Sequence, residues 1–230
     1  MQLWSKIQMS RLSKQQEIDF LKGYIQLSPM ARILEAEALW SKAKEMKPSD
    51  KRAILYLLAM ESFFMQQETL YKFLKATRAA ATGKDYLNTL RKTTFNPEQD
   101  TTQISSADDI KLEYTPNLAE SEKEKIKQRV NSIIKTCKNL AKVNEILSPV
   151  YYCLKHGFLV YKKNGDISLL MHEEKEKRFF DYLKKRGVKG QKNSLLENDF
   201  GWIIDLNQRL SYAIQDVITI RLIQLGVTSL

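Results

Sequence analysis

From residue 51 to 77 the chain reads KRAILYLLAMESFFMQQETLYKFLKAT, with no glycine or proline and apolar side chains on most faces of its first half. A helix that is apolar nearly all round must be covered on nearly all sides. This segment therefore commits the chain to a bundle in which residues 51–77 lie near the centre. Pro48, Ser49 and Asp50 supply a stop and a fresh N-cap just before it, and Gly83 ends it. Residues 85–93 read as another short helix.

Upstream, Ile7, Leu12, Ile18, Leu21 and Ile25 recur at spacings of one or two short helices, ended at Ser28 and Pro29 because the residue before proline is pushed out of the α region. A second helix is expected over residues 30–46. The stretch EALWSKAKEMKPSDKRAILYLLA resembles the helix-turn-helix joint of tetratricopeptide repeats over about 23 residues. No second copy follows near a 34-residue offset, so it is read as a generic helical hairpin.

Downstream, residues 121–146 form a strong helix, with Ser121 and Glu124 at capping-box spacing and largely lysines on its outward side. Ser148 and Pro149 break it, and VYYCLKHG makes a short helical segment closed by Gly157. Two β-prone runs, 158–162 and 166–171, flank Asn164 and Gly165, the residues a type I′ turn requires. A helix over 172–185, the basic loop KKRGVKGQKN and a last helix over 199–225 complete the chain. In that last helix Ile203, Leu206, Leu210, Ile214, Val217 and the run 220–225 cover more than half the circumference, as a core helix or a partner surface would. The expected fold class is mainly α, a helical bundle with one β-hairpin at 158–171. Its organisation is an N-terminal helical portion (1–96), an acidic linker (97–120) and a C-terminal helical portion (121–230).

Charge is the first functional signal. Against 27 Asp and Glu stand 37 Lys and Arg, giving +10 over 230 residues and an isoelectric point near 9.4. The excess is +7 over residues 1–96 and +9 over 125–230, while residues 97–124 carry −6. Such a balance favours contact with a polyanion. The longest apolar run, 54–60, is far below the roughly 20 residues that span a bilayer, and charges stand where a leader needs an apolar core, so a soluble protein of the cytoplasm or nucleus without membrane contact is expected. Cys137 and Cys153 form no CxxC and have no histidine cluster, which points to neither zinc nor a disulfide framework. No phosphate loop, dinucleotide fingerprint, HExxH or GxSxG is present, and His156 and His172 lack a suitably placed nucleophile. The arginine-to-histidine spacing of the helical HEPN ribonucleases is missing too. A non-enzyme without cofactors or metal is expected.

Two stretches offer cations to phosphates. The order helix, short helix, strand, NG turn, strand, helix over about residues 126–185 resembles a winged helix, which implies a recognition helix opening at Ser148 and Pro149 and a wing tip at Lys162, Lys163 and Asn164. The segment VYYCLKHG offers few base-reading side chains, so backbone contact through Lys155, Lys162 and Lys163 is expected rather than sequence readout. The second stretch, KEKRFFDYLKKRGVKGQK, packs Lys175, Lys177, Arg178, Lys184, Lys185, Arg186, Lys189 and Lys192 into eighteen residues against Glu176 and Asp181 alone. Phe179 and Phe180 within it read as core contacts. The leading expectation is a nucleic-acid-associated protein, for DNA or RNA, that grips the phosphate backbone with these cations. The alternative is a helical interaction scaffold or oligomeric subunit without nucleic-acid binding, partnered through residues 202–225.

Overall fold

The computed structural model describes residues 13–100, 104, 106, 118–155, 160–163, 166–185 and 201–227. Two long helices open it. α1 (Lys14–Lys44) begins with a capping box in which Ser13 and Gln16 satisfy each other's backbone N–H groups. After five connecting residues, Ser49 caps α2 (Asp50–Ala81) by accepting from the Arg52 N–H. α2 ends at Gly83, whose φ of 79° needs no Cβ, while Lys84 N–H returns to the Ala79 carbonyl. α3 (Tyr86–Lys92) follows directly, capped by Asp85. The glycine-free segment is the bundle's central helix: Tyr56, Leu57, Met60, Phe63, Leu70 and Leu74 are fully buried, and α2 touches α1, α3, α5 (Glu120–Lys155) and α7 (Gly201–Gln224).

Two prolines do not end their helices. α1 runs unbroken through Pro29, and α5 runs unbroken through Pro149, so each of the two expected pairs of shorter helices is one long helix. A mid-helix proline costs about 3 kcal/mol. Burying one large apolar side chain returns roughly 1.5–3 kcal/mol, and both prolines sit in buried turns. Neighbouring helices also dock polar groups on the carbonyls beside Pro29. Gln66 Nε2 donates to the Pro29 carbonyl at 3.1 Å, and Ser62 Oγ and Asn207 Nδ2 both donate to the Arg32 carbonyl. Around Pro149, Tyr151 stands edge-on to Phe64 and Phe95. Continuity at Pro149 removes the turn on which a winged helix depends. Of the side chains such a recognition helix would present, Tyr151 is buried and Tyr152 half-buried, while Lys155 is exposed and His156 lies outside the described residues. The start of α5 also differs from expectation, for Glu122 rather than Ser121 with Glu124 closes it by accepting from the Ala119 N–H.

The hairpin consists of β1 (Val160–Lys163) and β2 (Asp166–Leu169), antiparallel with Val160 opposite Leu169 and Lys163 opposite Asp166. That register leaves two residues, Asn164 and Gly165, between the strands; both lie outside the described residues. β2 rests on α2, and Cys153 donates to the Leu170 carbonyl. α6 (Glu173–Lys185) then packs on α5 through buried Phe179 and Phe180, which are core contacts.

α7 locks the bundle by packing against α1, α2 and α5 together. Its Ile203, Leu210, Ile214, Val217, Ile218 and Leu222 are buried against the protein's own helices and belong to the core, while Tyr212 is exposed. Arg221 reaches Glu17 of α1 at 2.7 Å, with only 13% of either side chain exposed. Arg129 of α5 pairs with Asp216. One hydrophobic core thus draws on both helical portions, from Ile18 to Leu222. The acidic segment joining them opens docked on this core. Phe95 stacks on Tyr71, α4 (Pro97–Asp100) lies on α5, buried Asp100 binds Lys75 at 2.6 Å, and Ile104 is buried.

Candidate polyanion-binding faces

The cations singled out from the sequence fall into three groups. Lys155, at the end of α5, hydrogen-bonds the Tyr151 hydroxyl, lies 5.0 Å from that ring's centroid and reaches Glu68 of α2 at 3.7 Å. The Tyr151 hydrogen bond raises its pKa first, and Glu68 adds to this. Lys162 in β1 pairs with Asp50, the first residue of α2, at 2.5 Å. A phosphate at either lysine would compete with a nearby carboxylate, although Glu68 pairs more closely with Lys72, at 2.7 Å, and the Lys162 side chain is mostly exposed. Neither pairing, at separations of 87 and 112 residues, has a local sequence signal.

On α6 the outcome is different. Lys175, Lys177 and Arg178 are exposed, as are Glu173 and Glu174, whose place in the first turn suits the positive end of the helix dipole. Lys184 and Lys185 belong to the last turn of α6, and Lys163 ends β1. Arg186, Lys189 and Lys192 lie outside the described residues.

The structure adds a group that charge density alone does not pick out. Lys135, Lys138 and Lys142 on α5 are all exposed, and none enters an ion pair among the described residues. Their spacing of three and four residues places them in one row about 10 Å long. The row lies opposite the buried stripe of Ile126, Val130, Ile133, Cys137 and Leu140, so it faces straight away from the core. Asn131 and Gln128 extend it with uncharged hydrogen-bonding groups, and Glu124 and Glu145 stand at its ends. The signal was legible as helical periodicity.

Other chemistry is sparse. Burial pushes the Cys137 thiol up to about 12 and raises Cys153 as well, the reverse of what a nucleophilic thiol needs. His172 is exposed, and its Nδ1 accepts from the Glu174 N–H at the start of α6. A concavity of about 250 Å³ is lined by Lys75, Arg78, Ala79, Thr82 and Lys84, but Lys75 is committed to Asp100 and the C-terminal end of α2 disfavours an anion there. Between α2 and α5, Asn144 Nδ2 donates to Gln67 Oε1 at 2.7 Å, and Gln67 Nε2 and Asn144 Oδ1 are buried without a partner among the described residues. No group of three or more metal-ligating side chains occurs among the described residues, and no described helix is long and apolar enough to cross a membrane. Comparison with protein-family models, with curated proteins and with solved structures finds no match.

Proposed function

We propose that this chain is a non-catalytic, nucleic-acid-associated protein that holds a phosphate backbone through the outward lysines of α5, assisted by the exposed cations of α6. The observation that carries the reading is the contrast between lysines. Lys155 and Lys162 each have an acid of α2 within ion-pair distance, whereas Lys135, Lys138 and Lys142 stand in a row with no ion pair among the described residues. A straight row of cations on a rigid helix suits a linear polyanion, since several phosphates can be met without deforming the protein, and each phosphate neutralised releases condensed counterions. The row has no bidentate Arg or paired amides aimed at base edges, so affinity without base selectivity is expected.

Titration of single-stranded DNA, duplex DNA and RNA at two salt concentrations tests this. Replacing Lys135, Lys138 and Lys142 with Gln should weaken binding on all sequences and reduce the log–log salt slope on duplex by roughly 0.9 for each phosphate left unneutralised. A parallel Lys175, Lys177 and Arg178 to Gln variant measures what α6 contributes. Wild-type affinity and slope in the α5 variant would refute the assignment.

A further inference from the structure

The outward face of α1 differs from the rest of the surface. Phe20, Leu27, Met30 and Leu34 are 38, 75, 47 and 57% exposed, on the side of the helix opposite buried Leu21, Pro29, Ile33 and Ala36. Gly23, Ala31 and Ala38 fill the positions between them, so the 100° or so of helix surface from residue 20 to 38 carries no charge. Across the whole chain 28% of residues are charged. Single exposed apolar residues are ordinary, but four large ones aligned along one helix mark a docking surface.

What covers it is argued from its rim and its relief. The charges beside the stripe from residue 19 to 37 are Asp19, Glu37 and Glu35, the last paired with Arg32 at 2.7 Å, and this net acidity disfavours both anionic lipid headgroups and nucleic acid. A protein surface remains, and the relief is self-complementary. Laid antiparallel on a copy of itself about an axis near residue 29, α1 sets Leu27 opposite Ala31, Leu34 opposite Gly23 and Phe20 opposite Ala38. Three of the four large side chains meet a small one, with Met30 close to the axis beside its own counterpart, and the same patch serves both partners. Nothing lies within 4 Å of where a Cβ on Gly23 would stand, so the gap for Leu34 is open. We propose that α1 is the homodimerisation helix of this protein, pairing antiparallel with α1 of a second copy.

At roughly 200 Å² for a large apolar side chain, the four exposures amount to roughly 400 Å² per copy. That is about half the roughly 800 Å² per partner of a standard interface, which makes the dimer reversible and concentration-dependent. In this register Asp19 of one copy lies within a helical turn of Glu37 of the other. Added salt therefore screens a repulsion and strengthens the dimer, while it weakens phosphate binding, so the two properties separate by the sign of their salt dependence.

Sedimentation velocity of the full chain through the micromolar range should show a monomer–dimer equilibrium that shifts toward dimer with salt. Leu27→Glu with Leu34→Glu, both at exposed sites, should weaken it at least tenfold, whereas Tyr212→Glu, an exposed aromatic on α7, should leave it unchanged. Register is read by oxidation: a mixture of Gly23→Cys and Leu34→Cys chains should form the mixed disulfide faster than either forms its own, with native Cys137 and Cys153 buried and out of reach. A wild-type chain that stays monomeric, or does so until residues 1–12 are removed, overturns the proposal. So does a double Glu variant that dimerises normally, or a mixture in which the homodisulfides prevail.

Discussion

The Gln67–Asn144 pair yields a prediction in which two single changes and their combination disagree. Both side chains are essentially fully buried, joined by one 2.7 Å hydrogen bond, with Gln67 Nε2 and Asn144 Oδ1 unpartnered among the described residues. Asn144→Leu removes one unpartnered atom and orphans Gln67 Oε1, so two buried polar atoms lack partners before and after. Gln67→Met does the same in reverse. Each single variant loses a hydrogen bond worth about 1 kcal/mol and gains apolar burial of similar size, so each should lie within about 1 kcal/mol of wild type. The double variant has no buried amide left. With an unsatisfied buried group costing about 1–3 kcal/mol, removal of two should stabilise it by about 2 kcal/mol or more. Urea denaturation of the four proteins closes the cycle, and a chain of this size should gain about 2–4 °C in Tm per kcal/mol. A double variant less stable than wild type would mean that the outer atoms of the pair are satisfied after all, and the reasoning would fail.

Three further outcomes are expected. Arg221→Ala should cost about 3–5 kcal/mol in chemical denaturation, because it leaves Glu17 buried without its cation and strips the guanidinium from the Tyr86 ring; Glu17 and Arg221 replaced together should cost less than the sum. Alkali should destabilise the fold from about pH 9 upward. The Cys137 thiol ordinarily ionises at 9.0 but is held to about 12 when folded, so between these values the unfolded chain sheds a proton that the native one keeps; Tyr71 and Tyr86, also raised by burial, extend the loss, and Cys137→Ala should make the decline in a pH series of Tm values shallower. Burial raises the Asp216 carboxyl despite Arg129 beside it, so stability is lost as pH rises from its ordinary value of 3.8 through the raised one. Asp216→Asn escapes that loss and should gain on wild type between acid pH and neutrality, a trend that parallel melts would expose if it were absent.

What the sequence disclosed and what it hid divide along the reach of the signals. Ser49, Gly83 and Asp85 act through backbone geometry within a few residues, and the bounds of α2 and α3 follow from them. Pro29 and Pro149 act locally too, but their local cost is overridden by burial contributed from α2, α4 and α7, which no window of sequence contains. Electrostatic partners are hidden for the same reason. Glu68 and Asp50 claim Lys155 and Lys162 across the fold, so a density of cations in the sequence overstates what is free to bind. The α5 row was available from spacing alone, yet with three lysines it is less conspicuous than the eight cations of 175–192 until burial shows which face looks outward.

The position of α7 sets a timetable for synthesis. Its partners α1 and α2 are complete by Ala81, but α7 begins at Gly201, about 120 residues later. At roughly 5–20 residues per second, a ribosome needs roughly 6–24 s to cover that distance. Throughout this interval the nascent hairpin of α1 and α2 carries an uncovered apolar groove, the one that Leu210, Ile214 and Ile218 will later fill. Exposed apolar surface of this kind is prone to aggregation for as long as it stays uncovered. Slowing codons between α2 and α7 should therefore lower its soluble yield.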